Sequence, residues 1–199
     1  MCSAFPARTE RMVTEPTAAV VLAAGGGSRF AGSEHKLRTS IDGRPLYRIA
    51  LDAVLDAGFE TVFVVTGAVA LDLPSSVVEV PNPSWAEGQA GSVQAGVRAA
   101  AGEGATAVVV GLADQPFVPS EAWRLVAACT EKPICVATYQ GHRGNPVRLH
   151  SSVWSLLPVT GDEGARTLIR LRADLVCEVA CPGHPADIDT QEDLHRWSS

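Results

Sequence analysis

The chain has 199 residues, of which 46% are hydrophobic and 19% are charged, a composition typical of one folded domain with a substantial core. A net charge of −6 excludes a broad basic face and argues against nucleic acid as a partner. No apolar run approaches the length of a membrane span, which argues against a membrane partner. Five cysteines without a Cys-x-x-Cys pair favour a reducing, cytoplasmic location. Cys177 and Cys181, with only His184 nearby, give no zinc motif.

The predicted elements alternate between strands and helices. Residues 1–17 lack hydrophobic periodicity, so we expect a flexible extension before a single domain at 18–199. Apolar runs predict buried strands at 18–24, 60–66, 77–80, 106–110, 134–139 and 174–180. Helices are predicted at 45–57, 88–101, 120–129 with Ser120 as its cap, the second half of 161–172, and 191–197. Short extended pieces are expected at 37–41, at 147–149 after a glycine loop at 141–146, and at 186–190.

This alternation predicts a three-layer α/β/α domain with a Rossmann-like, mostly parallel sheet. In such sheets ligands collect at the carboxyl ends of the strands. The loop after residue 24 and Asp114 both follow predicted strands, so we expect them at that edge.

Three consecutive glycines end the first apolar run, and one arginine and one lysine follow them. Backbone amides of such a loop can surround an anion, which makes it a candidate nucleotide-phosphate site. The sequence of the loop matches neither a Walker A motif nor a G-x-G-x-x-G dinucleotide fingerprint. The alternative is a plain glycine turn between a strand and a helix. The candidate nucleotide-binding residues are Leu22, Ala23, Ala24, Gly25, Gly26, Gly27, Ser28, Arg29 and Lys36.

Three aspartates are candidate metal ligands. Asp114 directly follows a buried strand, and Asp187 and Asp189 alternate along an extended segment and so face the same way. Magnesium typically takes one or two carboxylates together with phosphate oxygens. The alternatives are that Asp114 caps its turn and that Thr190 or Asp189 caps the last helix.

Two further groups of residues lie in predicted loops. Asn82, Gly88 and Ser92 could contact a base or ribose, or could simply begin a helix. Two glycine loops with arginines could bind a second substrate or merely turn the chain; their candidate acceptor-binding residues are Arg143, Gly144, Asn145, Pro146, Gly164 and Arg166.

In this order, the motifs resemble those of the MobA-like nucleotidyltransferases, and most closely the MocA-type molybdenum-cofactor cytidylyltransferases. The resemblance covers residues 18–197 and includes the segments Leu22–Phe30 with Lys36, Gly111–Pro116, Gly161–Arg166 and Asp187–Leu194. Departures from the family pattern are Phe30 for Met, Asn145 for His, Gln191 for Pro, and an extra stretch at 31–35 before the lysine.

The resemblance implies a nucleotide-diphospho-sugar transferase type of fold and Mg²⁺-dependent transfer of CMP from CTP to the phosphate of molybdopterin, with release of pyrophosphate. It implies Arg29, Lys36 and Asp114 as catalytic residues and Asp114, Asp189 and Asp187 as metal ligands. CTP is expected over GTP because two alanines precede the first glycine. A molybdoenzyme or its chaperone could be a partner.

Three other functions remain open on the sequence. One is guanylyl or cytidylyl transfer to another phosphorylated acceptor, and a second is a non-catalytic molybdenum-cofactor carrier. The third is an NAD-binding oxidoreductase, against which the broken dinucleotide fingerprint argues.

Overall fold

A computed structural model of the chain describes residues 15–27, 30, 34–190 and 192–193. Its strands are β1 (Thr17–Ala23), β2 (Ser40–Ile41), β3 (Arg44–Pro45), β4 (Val62–Thr66), β5 (Val78–Pro81), β6 (Ala107–Leu112), β7 (Ile134–Tyr139), β8 (His142–His150) and β9 (Val176–Ala180). Its α-helices are α1 (Leu46–Asp56), α2 (Gln89–Gly102), α3 (Ser120–Ala128) and α4 (Arg166–Leu171). Short 3₁₀ turns occupy Lys36–Arg38, Trp85–Glu87, Ser151–Leu156 and Ala173–Leu175.

Seven of these strands form one sheet in the order β5-β4-β1-β6-β8-β7-β9. All neighbouring pairs are parallel except those of β8, which runs antiparallel to both β6 and β7. The predicted mostly parallel α/β sheet is confirmed. Since β7 and β9 run in the same direction as β6, all the parallel strands end at one common edge of the sheet.

Helices cover both faces of the sheet, which completes the three layers. The central strands β1, β4 and β6 are almost entirely buried and rich in valine, as expected for strands covered on both sides. On one face the sheet packs against the apolar sides of α1 and α3, and on the other it packs against α2 and α4. The core therefore lies in two layers, one on each side of the sheet.

The segment after β7 differs most from its prediction. A loop was expected at 141–146, but a tight turn at Gln140 and Gly141, both with positive φ, leads straight into β8. The register then shifts: Val136 pairs with Val147, and the next residue pairs with Gly144. Two residues of β8, Asn145 and Pro146, thus bulge out of the ladder, which is a common device beside functional sites.

Smaller corrections concern helix and strand ends. Pro119 rather than Ser120 is the N-cap of α3, and the Ser120 side chain makes no capping hydrogen bond because Ser120 is already helical. No strand forms at 186–190, because this segment crosses over the end of β6, where the Ile188 amide donates to the Asp114 carbonyl. Residues 37–41 combine a 3₁₀ turn with the short β2, which pairs with β3.

Two predictions fall mainly on residues outside the described ranges. Of the terminal helix expected at 191–197, only residues 192–193 are described, and both are helical. Of the extension expected at 1–17, only residues 15–17 are described, and Thr17 already begins β1. The division of the chain at residue 18 stays a prediction.

Candidate active site

A cavity of about 510 Å³ lies at the carboxyl edge of the sheet, where β1 and β6 end. The glycine loop after β1 forms one wall, and the segment that follows β6 forms another. The third wall is the start of α2, and residues 187–189 close the cavity. We call it the acidic cavity, because the aspartates 114, 162, 187 and 189 face only Lys36 and Arg166 among its described charged residues.

Lys36 lies at the centre of the acidic cavity and bridges two aspartates. Its Nζ donates to Asp114 Oδ2 at 2.6 Å and to Asp189 Oδ1 at 2.8 Å. The three side chains are only 11%, 18% and 21% exposed, so water screens these charges weakly. Burial alone would lower the pKa of Lys36, but the two carboxylates outweigh it and raise the pKa above its usual value. Lys36 is therefore a cation in this structure, held between the two acids.

The segment at 187–189 is oriented by a single buried residue. Ile188 is fully buried, in a cluster with Ile41 and Leu46. Because side chains alternate along an extended chain, its two neighbours Asp187 and Asp189 turn the other way, and both line the acidic cavity. The expectation that these acids face one way agrees with this placement, although the segment is not a strand.

Asp187 has a different environment from the other two aspartates. Its Oδ1 accepts a hydrogen bond of 2.6 Å from Gln115 Nε2, and the same amide donates to the Pro185 carbonyl. Burial raises the pKa of Asp187, and the negative charge of Asp114 raises it further, against the opposing effect of the Gln115 hydrogen bond. The cavity therefore concentrates negative charge beyond what Lys36 neutralises.

The aspartates fit a divalent cation on two observations. Asp114 Oδ1 is buried and has no hydrogen-bond partner in the described part of the chain. This carboxylate oxygen is therefore an unsatisfied acceptor that could serve as a hard metal ligand. The carboxylates of Asp114, Asp187 and Asp189 stand against the single ammonium of Lys36, which leaves two negative charges. Oxygen ligands of this kind are those that Mg²⁺ and Mn²⁺ prefer.

His35 ties the glycine loop to the residue that bridges the acids. Its Nε2 lies 3.0 Å from the Gly25 carbonyl oxygen, and its Nδ1 accepts from the Leu37 amide. Burial lowers the pKa of His35, and the charges of Lys36 and Arg38 add to this against the contact with Gly25. A neutral ring with its proton on Nε2 satisfies both contacts, so we assign that tautomer. Sequence reasoning missed this role, for which the only signal was the position next to Lys36.

The indole ring of Trp85 packs against the glycine loop. A Cβ added at Gly26 would lie 2.8 Å from the indole ring, so only glycine permits this close approach. Trp85 lines the acidic cavity together with Gly88 and Gln89. Trp85 was not predicted as a site residue, although it lies between Asn82 and Gly88, two of the residues expected to contact a base or ribose.

The start of α2 is fixed by a contact between backbones. Gly88 has a φ of 113°, and a Cβ there would lie 2.5 Å from the Gly161 carbonyl. The Ala90 amide donates to that same carbonyl at 2.9 Å. Nearby, Asn82 Nδ2 donates to Ser92 Oγ at 3.0 Å. Ser92 and Gly88 line the acidic cavity, whereas Asn82 lies behind them and holds Ser92 in place.

A second cavity of about 440 Å³ adjoins the first. We call it the basic cavity, because Arg143, Arg166 and Arg170 line it with Asp187 as its one described acid. Arg143 pairs with Glu178 and Arg170 pairs with Glu163, but both pairs are largely exposed and so contribute little. Arg166 and Asp187 line both cavities, so the two spaces meet there.

Gln115 connects the two cavities through hydrogen bonds. Besides holding Asp187, it accepts a hydrogen bond of 3.2 Å from Asn145 Nδ2 through its Oε1. The Asn145 carbonyl in turn accepts a 2.6 Å hydrogen bond from the Tyr139 hydroxyl. A buried glutamine that follows Asp114 directly therefore links the metal-ligand candidates to the bulge of β8, a role not predicted from the sequence.

The structure brings most of the predicted site residues together. Those lining the acidic cavity are Leu22, Ala23, Ala24, Gly25, Gly26, Gly27, Lys36, Gly88, Ser92, Asp114, Arg166, Asp187 and Asp189. Arg143, Gly144 and Asn145 line the basic cavity. Pro146 and Gly164 line neither: Pro146 follows Asn145 in the bulge, and Gly164 packs against Gln89. Ser28 and Arg29 lie outside the described residues.

The fold is a three-layer α/β domain with a charged cavity at the carboxyl edge of its sheet. The family model of the MobA-like NTP transferase domain matches residues 19–176. The chain belongs to this family, which confirms the family assignment made from the sequence.

Three known proteins illustrate the similarity. The purine catabolism protein PucB of Bacillus subtilis is 30% identical over 87% of this chain and 92% of its own length. The nicotine blue oxidoreductase of Paenarthrobacter nicotinovorans is 29% identical over 89% of this chain and 94% of its own. Rv0371c of Mycobacterium tuberculosis H37Rv, crystallised as a complex with manganese, is 27% identical, with a TM-score of 0.69 over 92% of this chain and 97% of that one.

Among the described residues, no helix is both long enough and apolar enough to span a bilayer.

Proposed function

We propose that this protein transfers CMP from CTP to the terminal phosphate of molybdopterin or its molybdenum-loaded form, in a Mg²⁺-dependent reaction that releases pyrophosphate. The observation that carries the proposal is the Lys36 bridge between Asp114 and Asp189, with Asp114 Oδ1 left unsatisfied, opposite a glycine loop. The manganese bound to a relative of the same fold supports a divalent cation in the reaction. The five cysteines without a Cys-x-x-Cys pair favour a cytoplasmic enzyme.

In the proposed reaction, an oxygen of the acceptor phosphate attacks the α-phosphorus of the triphosphate. A new P–O bond forms there, the bond from the α-phosphorus to the bridging oxygen of the β-phosphate breaks, and pyrophosphate leaves. A phosphate nucleophile is already ionised at neutral pH, so the reaction needs no general base. Catalysis then depends on positioning and on neutralising charge.

The residues of the acidic cavity supply that positioning. Amides of Gly25, Gly26 and Gly27 contact the triphosphate, and Trp85 covers the loop from above. Asp114 and Asp189 would hold the metal, with Asp187 as a third acid beside them in the same cavity. A bound Mg²⁺ would neutralise charge on the phosphate oxygens.

Lys36 has a double role in this proposal. Without nucleotide, its ammonium donates a hydrogen bond to Asp114 and another to Asp189, and so holds the two carboxylates on either side of its nitrogen. With metal and nucleotide bound, the ammonium contacts the phosphates of the leaving pyrophosphate instead. Arg29, which the resemblance implies as a catalytic residue, would likewise neutralise charge on the leaving pyrophosphate.

The basic cavity is proposed as the acceptor site. Arg143 and Arg170 lie at its rim in weak surface pairs, and Arg166 has no ion pair among the described residues. An acceptor phosphate entering between them would meet the acidic cavity at Arg166 and Asp187. Asn145 and Gly144, on the bulge of β8, line the same space.

The test is product formation by the purified protein. We expect pyrophosphate release and a cytidylylated acceptor when molybdopterin, CTP and Mg²⁺ are all present, with less product from GTP. Parallel reactions with ATP, UTP and Mn²⁺ define the donor and the ion. Release of pyrophosphate with GTP but not with CTP would show guanylyl transfer instead. Binding of molybdopterin without release of pyrophosphate from any triphosphate would favour a non-catalytic carrier.

A second candidate function is an oxidoreductase, favoured by the name of the Paenarthrobacter relative. Binding of NADH or NADPH to the acidic cavity, competed by CTP, would support it. Failure of both dinucleotides to bind would exclude it.

A further inference from the structure

Three cysteines meet at the edge of the sheet opposite the acidic cavity. Cys129 directly follows α3, and Cys135 and Cys177 are each the second residue of their strands, β7 and β9. Cys135 and Cys177 are also register partners in the parallel pair of β7 and β9. Since β6 runs in the same direction and Asp114 follows its carboxyl end, the cysteines lie at the amino end of the sheet. They belong to no step of the proposed reaction.

The three sulfur atoms approach each other closely. Cys129 Sγ lies 3.1 Å from Cys177 Sγ, which lies 3.2 Å from Cys135 Sγ, and all three are within 4.8 Å of one another. Ordinary nonbonded packing places heavy atoms about 3.5–4.0 Å apart. A single buried cysteine is a small apolar residue, but three converging sulfurs form a donor set.

The spacing is close to that required by a thiolate-bound metal. A Zn–S bond is about 2.3 Å, so an ion equidistant from three sulfurs in a tetrahedral arrangement separates them by about 3.8 Å. The shorter contacts here would open by less than about 1 Å. Cys129 can open its contact with Cys177, because it is the C-cap of α3 and lies outside the sheet ladder. The contact between Cys135 and Cys177 has to open through their side chains, since both residues lie in the ladder. Cys129 and Cys177 are only half-buried, which leaves a route for an ion to enter.

Charges beside the cluster suit a complex with excess negative charge. Three thiolates on a divalent ion carry one net negative charge. Arg148, buried and 2% exposed, is the register partner of Cys135 on β8. Its guanidinium is paired with Glu15, so only its Nε, which has no acceptor among the described residues, is left to face additional negative charge. Lys132 lies in the loop between Cys129 and Cys135, and its Nζ donates to the Asp174 carbonyl.

We propose that Cys129, Cys135 and Cys177 bind a thiophilic d¹⁰ cation such as Zn²⁺, with water as the fourth ligand. Three thiols lose their protons to solvent as three metal–sulfur bonds form, and no electrons are transferred. The bound ion ties the end of α3 to β7 and β9, so its role is structural. Soft thiolate ligands select zinc or copper(I) over the hard ions that the aspartates prefer, which keeps the two metal sites of the protein distinct.

The probe is Cd²⁺, whose bonds to thiolates give an ultraviolet charge-transfer band. Fully reduced, chelator-treated protein is titrated with Cd²⁺, with and without prior addition of one equivalent of Zn²⁺. We expect the band to saturate at one equivalent, to need more Cd²⁺ when Zn²⁺ is already bound, and to be accompanied by a higher Tm. Proton release during the titration should reach up to three protons per bound ion and should end at the same one equivalent of metal.

Matched serine variants locate the site. Cys129→Ser and Cys177→Ser should weaken Cd²⁺ binding at least tenfold, while Cys181→Ser should titrate as the wild type does. Cys181 contacts the backbone of Val179 instead of the cluster, so it controls for the loss of a thiol. Cys129 lies on a loop, and circular dichroism of its variant shows whether the fold is retained.

Two results would overturn the proposal. One is a wild-type protein whose cysteines are all confirmed as thiols by mass and which nevertheless gives no saturable band. The other is a titration unchanged in both Cys129→Ser and Cys177→Ser. Since the readouts are absorbance, protons and Tm, they do not depend on the proposed nucleotidyl transfer.

Discussion

The acidic and basic cavities share a wall but have opposite charge. In the acidic cavity, Lys36 is already engaged by Asp114 and Asp189, so a triphosphate meets carboxylates as well as amides. In the basic cavity, the arginines Arg143 and Arg170 are engaged only by exposed acids at the rim. An anion can enter the basic cavity directly, whereas a triphosphate in the acidic cavity requires a cation. This difference supports our proposal that the metal-dependent substrate, the triphosphate, binds in the acidic cavity and that the acceptor, which needs no metal, binds in the basic cavity.

The largest expected effect is at Asp114. Asp114→Asn removes a charge that orients Lys36 and would hold the metal, and loss of one such positioned electrostatic contact typically costs about 3 kcal/mol, or about a hundredfold in kcat. Pyrophosphate release under saturating substrates measures it. Asp174→Asn is the control, because Asp174 forms an exposed pair with Arg172 far from both cavities. Unchanged turnover in Asp114→Asn would remove this residue from the site.

Gly88→Ala tests whether the start of α2 must lie against Gly161. The new Cβ would lie 2.5 Å from backbone atoms at a φ of 113°, and such strain costs about 1–3 kcal/mol, seen as a lower free energy of unfolding. Urea denaturation measures it. Gly104→Ala is the matched control, since Gly104 also has a positive φ but nothing within 4 Å of its added Cβ. Equal losses in both variants would show that the contact with Gly161 contributes nothing.

The arginines of the basic cavity should affect the acceptor alone. We expect the double variant Arg143→Gln, Arg170→Gln to raise the acceptor KM about tenfold, equivalent to about 1.4 kcal/mol, and to leave the triphosphate KM unchanged. Steady-state kinetics with each substrate varied in turn separates the two constants. Arg172→Gln lies outside both cavities and should change neither. A raised triphosphate KM in the double variant would contradict the division of substrates between the cavities.

The smallest effect concerns pH and His35. Because the pKa of His35 is lowered in the folded state, the neutral ring stabilises the fold above the unfolded pKa of about 6.5, and this stability is lost as the pH falls through the folded pKa. We expect the Tm of the wild type to fall more steeply below pH 6.5 than that of His35→Gln. His142→Gln, at an exposed position, should follow the wild type. Parallel Tm curves for all three proteins would contradict the assigned role of His35.

Much of the fold could be predicted because its signals are local. The buried runs of β1, β4 and β6, and the Pro45 and Gly58 that bracket α1, give the alternation that dictates a parallel three-layer domain. The β7–β8 hairpin was missed because its turn, Gln140-Gly141, lacks the usual Asn-Gly or Asp-Gly signal. The crossing of residues 186–190 depends on the contact of Ile188 with the core and with Asp114, which no local pattern shows.

The candidate site, like the fold, could be predicted only where its signals are local. The glycine loop, Asp114 and the Asp187–Asp189 pair could be named from the sequence, because strand ends and alternation place them at one edge. The contacts between these residues could not be predicted, because they depend on how distant segments pack. Lys36 bridges Asp114 to Asp189, which lies 153 residues from Lys36 in the chain. The hydrogen bond of Gln115 to Asp187 and the contact of Cys129 with Cys177 also join segments that are far apart in the sequence.

The most direct test of the division between the cavities is the binding of a nonhydrolysable CTP analogue by calorimetry, with and without Mg²⁺. The triphosphate should bind measurably only with Mg²⁺, and Asp114→Asn should abolish this dependence together with the binding. The acceptor phosphate, titrated in the presence of a chelator, should bind without metal. Equal affinity of the triphosphate in Mg²⁺ and in chelator would contradict the assignment of the acidic cavity as a metal–triphosphate site.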